Sequence, residues 1–79
     1  MDFPRFEGEN PKVWQQDCET YFELHHVQDS LRTRYASLNF RGIAALWLRN
    51  IQARRKFDNW GEMCRLVHEK FAKKIQPLS

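Results

Sequence analysis

Glycine and proline are scarce in this chain, three of each in 79 residues, and cysteine occurs only twice. Little Gly and Pro argues against a loop-rich, collagen-like or linker sequence. Two cysteines, Cys18 and Cys64, exclude a disulfide-dense scaffold. There is no long apolar run of the kind that makes a signal peptide or crosses a membrane. The three glycines are isolated, so no phosphate-cradling glycine loop is present. These absences point to a soluble cytoplasmic or nuclear protein with no membrane partner.

Aromatic residues are plentiful by contrast: three Trp, six Phe and two Tyr, with hydrophobic residues at 42%. The length allows one domain, 1–79, in which the core has to be efficient because a chain this short buries only about 60% of its unfolded surface. Net charge is +3 and is unevenly spread. Residues 1–30 carry two basic and seven acidic side chains, net −5, and residues 31–79 carry eleven basic and three acidic, net +8. Such a dipolar chain can orient copies of itself or steer a nucleic acid to its basic end.

Residues 1–9 read as an extended lead-in, since Pro4 disfavours helix at Phe3. Phe3 or Phe6 is expected to anchor it on a helical body spanning 10–77. Asn10-Pro11 signals a helix start. Val13, Trp14, Cys18, Tyr21, Phe22 and His25 then recur at helical spacing through about His26. Asp29 or Ser30 is expected to cap a second helix with Leu31, Tyr35 and Leu38 as its seam and Ala36 allowing close approach. After the Asn39–Gly42 break a third helix runs to about Arg54. Its residues Ile43, Ala44, Leu46, Trp47, Leu48 and Ile51 cover so much of its girth that it is expected to be the most enclosed. Asp58 or Asn59 can cap a fourth, with Trp60, Met63, Cys64, Val67, Phe71 and Ile75 at helical spacing and Pro77 as its stop. The fold class is therefore all-α: a compact bundle of four helices with an extended N-terminal lead-in.

The order Phe6-Glu7-Gly8, Pro11, Trp14, Glu19-x-Tyr21-Phe22, Ala36, Leu38, Gly42-x-Ala44-x-x-Trp47, Trp60-x-x-Met63 and Phe71 resembles the gag capsid domain of Ty3/Gypsy-type long-terminal-repeat retrotransposons. With Leu24-His25-His26-Val27 after the Tyr-Phe pair, the resemblance is greatest to plant gag polyproteins. It implies a fold similar to the N-terminal lobe of retroviral capsids and of the domesticated neuronal Arc proteins. It also implies self-association in particle assembly, with other gag copies as partners. RNA would be bound mainly through regions downstream, so the chain reads as an excerpt of a longer protein or a domesticated remnant. The family residues carried over, Phe6, Gly8, Trp14, Tyr21, Phe22, Leu38, Gly42, Ala44, Trp47, Trp60 and Phe71, are structural; Ile51 and Val67 join them as expected core from their helical spacing.

For catalysis or metal binding the candidates are Cys18, Cys64, His25, His26 and His68. Cys64 and His68 lie one helical turn apart and Cys18 and His25 two, a pattern that packing could gather into a Cys2His2 set. A disulfide between the two cysteines is another option. The preferred reading is two buried thiols acting as small hydrophobes, with no catalytic residue, metal or cofactor. Two basic clusters, Arg49, Arg54, Arg55 and Lys56, and Lys70, Lys73 and Lys74, are candidate phosphate contacts for a non-specific RNA- or DNA-binding module. The surplus of aromatics fits either two ends of one core or a helix groove that takes a short peptide, as in an adaptor domain; the lead-in itself could fill such a groove.

Overall fold

A computed structural model describes residues 2–57 and 59–72. Four helices form: α1 (Pro11–Leu24), α2 (Asp29–Ser37), α3 (Gly42–Arg54) and α4 (Trp60–Phe71). Expectations at Lys73, Lys74, Ile75, Pro77 and Asp58 lie outside the described residues.

Pro11 opens α1 at its first position, where its missing N–H costs nothing. Asn10 does not cap with its side chain; it takes the left-handed conformation (φ 47°) and accepts the Trp14 N–H on its carbonyl at 3.0 Å. Pro11, Trp14, Cys18 and Phe22 fall on one face and are buried. The helix stops at Leu24, two residues before the expected end. His26 turns left-handed (φ 52°), and the Val27 N–H reaches back to the Phe22 carbonyl at 2.9 Å. This is a Schellman closure with Val27 and Phe22 as its apolar contact, and here histidine occupies a position that usually goes to glycine. His25, expected on the buried stripe, is exposed and lies over Tyr21 with ring centroids 4.2 Å apart; Val13 is exposed too.

The α2 seam differs from the expected one. Leu31 and Tyr35 are at the surface, Leu38 is 69% exposed, and the one fully buried side chain of α2 is Ala36. Ala36 lies about 140° around the helix from the Leu31–Tyr35–Leu38 stripe. The small side chain lets α4 come close, and that approach fixes which face turns inward. Leu38 is thus a surface residue, not core. Arg32 covers part of this junction, its guanidinium 5.2 Å above the Phe22 ring centroid and 3.3 Å from Asp29.

The most enclosed helix is α4, not α3. Trp60, Met63, Cys64 and Val67 are all buried, and the helix packs against both α1 and α2. Asn59 caps it, its Oδ1 accepting the Glu62 N–H at 2.8 Å. On α3 only Ala44 and Leu48 are buried. Trp47 and Ile51 are half-buried, while Ile43 and Leu46 are 70% and 62% exposed. Apolar residues on several faces of a helix show that it is apolar, and they do not show which faces find neighbours.

The lead-in is built into the fold. The Phe6 N–H donates to the Asn39 carbonyl at 3.0 Å and the Phe6 carbonyl accepts from the Arg41 N–H at 2.9 Å. This isolated parallel bridge between Phe6 and Phe40 is the only β-type pairing among the described residues, which contain no sheet. The Phe6 side chain is 1% exposed, with its ring centroid 4.8 Å from Trp14, 5.1 Å from Phe40 and 5.2 Å from Phe71. Gly8 (φ 108°) turns the chain away; a Cβ there would meet the Phe71 ring at 3.4 Å. Aromatic contacts continue from Trp14 to Trp60 (5.5 Å) and from Trp60 to Phe22 (5.0 Å). One aromatic network therefore links the lead-in, α1, the α2–α3 junction and α4.

Candidate interaction surfaces

Core positions have to be separated from outward ones before a surface can be read. Phe6, Trp14, Phe22, Ala44, Trp60 and Val67 are buried, and Tyr21, Trp47, Ile51 and Phe71 are half-buried. Gly8 is where the lead-in passes against the Phe71 ring. The groove bounded by α1, the α2–α3 junction and α4 is occupied by the chain's own Phe6, while Phe3 sits over Tyr21 (4.9 Å) and Phe22 (5.7 Å).

The α1–α4 seam carries a chain of polar contacts. Trp60 donates its Nε1–H to Glu19 at 3.0 Å, Gln15 donates its amide to the same carboxylate oxygen at 3.0 Å, and Gln15 Oε1 lies 2.7 Å from His68 Nε2. Sequence reasoning assigned no role to Gln15 and gave Glu19 only as a landmark of the Glu19-x-Tyr21-Phe22 motif. Both sit one turn apart beside the stripe of Trp14 and Cys18, and that spacing was the available signal.

The two thiols lie on this seam, free and buried. Burial, then the nearby Cys64 and the carboxylates of Asp17 and Glu19, push the Cys18 thiol far above its ordinary value of 9.0. Burial and Glu19 push Cys64 up to about 12. Both are neutral at physiological pH and poor nucleophiles. The residues weighed for a Cys2His2 set are dispersed: His25 stacks on Tyr21 at the end of α1, and His68 pairs with Gln15. No group of three His, Cys, Asp or Glu that could hold a metal ion occurs among the described residues.

Two outward stripes remain. On α3, Ile43 and Leu46 stand one turn apart, followed on the same side by Asn50 and Ala53, all exposed. On α1, Val13, Asp17, Thr20 and Leu24 share one exposed face. The basic positions Arg49, Arg54, Arg55, Lys56 and Lys70 are exposed. Arg55 is tied to Glu62, which also lies 3.9 Å from Arg65. The first cluster therefore includes one paired cation. No described helix is long and apolar enough to cross a membrane.

A helical lobe with a threaded lead-in, two exposed apolar-containing stripes and thiols locked in its core is built as a packing module. Residues 1–72 match the family model described as the N-terminal capsid-like domain of the retrotransposon-derived protein PEG10, and the chain belongs to this capsid-like family. No curated protein and no solved structure matches the chain significantly.

Proposed function

We propose that this domain is a self-association module of a gag-type capsid, without catalytic activity, that joins copies of itself through its α1 and α3 faces. The observation that carries the reading is the pair of side chains Ile43 and Leu46, exposed one turn apart on α3 of a capsid-like lobe. Apolar area of this kind costs free energy in water at roughly 25 cal/mol per Å². The α1 stripe complements it: Val13 and Leu24 supply apolar surface and Asp17 a negative charge, while Arg54 lies on the α3 side. Contact between two different faces is heterologous, so it closes into rings or propagates, as a shell requires. Each contact would be weak and would count through repetition.

A particle built from such lobes, in the cytoplasm or nucleus, fits the free thiols, since reducing compartments keep cysteines reduced. The Ty3/Gypsy lineage, with its plant-like flavour and its kinship to Arc lobes, rests on the motif order from Phe6 to Phe71. RNA packaging is assigned mainly to regions outside this lobe. The peptide-adaptor alternative needs Phe6 to leave its pocket and break both backbone bonds to the α2–α3 junction.

Sedimentation velocity over a concentration series tests the proposal. The sedimentation coefficient is expected to rise with concentration for the wild type. It should stay constant for Ile43→Asp/Leu46→Asp, whose substitutions lie outside the core and leave helicity intact. Equal behaviour of the two proteins would refute the assigned face.

A further inference from the structure

We propose that the open groove between α2 and the chain leaving α3 binds a nucleotide unit of single-stranded RNA, a role separate from self-association. The groove holds about 420 Å³, within the roughly 300–1,000 Å³ typical of small-ligand sites. Its walls combine two cations, Arg34 and Lys56, with the hydroxyls of Ser30 and Thr33 and an apolar side made by Leu38 and Phe57. Among the described residues, no carboxylate lines it.

The cations are what set this groove apart. Arg32 is paired with Asp29, Arg55 with Glu62, and Arg65 with Glu62 and Glu69. Arg34 and Lys56 have no ion pair or hydrogen bond from their side chains among the described residues, and neither have the Ser30 and Thr33 hydroxyls. Two unneutralised cations facing one concavity from different elements raise its potential and favour an anion. Leu38, expected in the core and found at the surface, here gains a use as wall, and Phe57 is half-buried beside it. Cations for the phosphate, hydroxyls for the sugar and an aromatic side chain for the base match the chemistry of single-strand binding, in which aromatic contacts and backbone charge act together without base readout. An inorganic anion would have no use for the apolar wall.

The test is titration of the isotopically labelled 79-residue chain with hexauridylate at low salt, followed by amide chemical shifts. In parallel arms the probe is inorganic triphosphate or hexaglutamate. The expected result is shifts concentrated at Ser30, Thr33, Arg34, Lys56 and Phe57. Arg34→Ala/Lys56→Ala should weaken binding on the order of tenfold and lower the slope of log affinity against log salt by about 1.4. Lys12→Ala, at a residue that lines a different cavity beside Gly8 and Phe71, should leave both unchanged. Shifts scattered over all basic residues would overturn the proposal, as would equal weakening by Lys12→Ala. Triphosphate or hexaglutamate binding as tightly as hexauridylate at the same amides would also overturn it. Association is read at other amides, those of the α1 and α3 stripes, none of which lines the groove, so failure of one reading is distinguishable from failure of the other.

Discussion

Replacing Phe6 with alanine should remove a large share of the domain's stability, even though this residue lies in a nine-residue segment ahead of the first helix. The ring is 1% exposed and lies between about 4.8 and 5.2 Å, centroid to centroid, from Trp14, Phe40 and Phe71. Removing a ring so enclosed costs roughly 3–5 kcal/mol, the transfer loss plus the cavity left behind. A domain of this length has a total stability of about 4–12 kcal/mol, so the change consumes a large share of it. At about 4–8 °C per kcal/mol for domains of this size, the melting temperature should fall by more than about 12 °C. Urea unfolding followed by circular dichroism and tryptophan fluorescence gives the value. Phe3→Ala, at a half-buried site, is the internal comparison and should cost less. A Phe6→Ala loss below about 1 kcal/mol, or a loss no greater than that of Phe3→Ala, would refute the claim that the lead-in completes the core.

Asn59→Ala removes the one side-chain helix cap in the described residues and should cost about 1 kcal/mol in the same urea assay. Gly8→Ala places a Cβ against Phe71 at a backbone angle (φ 108°) that only glycine adopts freely, and should cost on the order of 1–3 kcal/mol; Gly42→Ala meets no neighbouring atom within 4 Å but is also at positive φ (59°), so it should cost about 1 kcal/mol through the backbone alone. The raised thiols give a pH dependence with a definite sign. Above pH 9.0 an unfolded cysteine gives up its proton while the folded Cys64 keeps its own until about pH 12, so the unfolded state holds fewer protons and stability falls as pH rises through that window. Unfolding free energies measured from pH 8 upward should therefore decline for the wild type and decline less for Cys18→Ala/Cys64→Ala.

Helix number and order were legible in the sequence because Pro11, the Asn39–Gly42 break and Asn59 punctuate the chain locally. The α1 and α4 faces were legible as well, since Trp14, Cys18 and Phe22, and Trp60, Cys64 and Val67, repeat on one side. Local spacing failed where burial depends on a neighbour's approach. The stripe Leu31–Tyr35–Leu38 was the stronger pattern on α2, yet the smallest side chain, Ala36, took the inward position because it admits α4 most closely. The girth of apolar residues on α3 was read as enclosure when part of it is exposed surface. That same misreading conceals the proposed interaction face: Ile43 and Leu46 look like core until the rest of the chain leaves them uncovered. The groove of Arg34 and Lys56 joins residues 22 positions apart, and only the folded chain brings them together.

The most direct test of self-association through α3 is an amide-shift dilution series on the wild-type domain, from about millimolar to low micromolar, at low and high salt. The account predicts concentration-dependent shifts clustered on Ile43, Leu46, Asn50 and on the α1 stripe from Val13 to Leu24, with the charged part weakened by salt. Spectra that do not change across the series, or shifts confined to residues off both stripes, would contradict it.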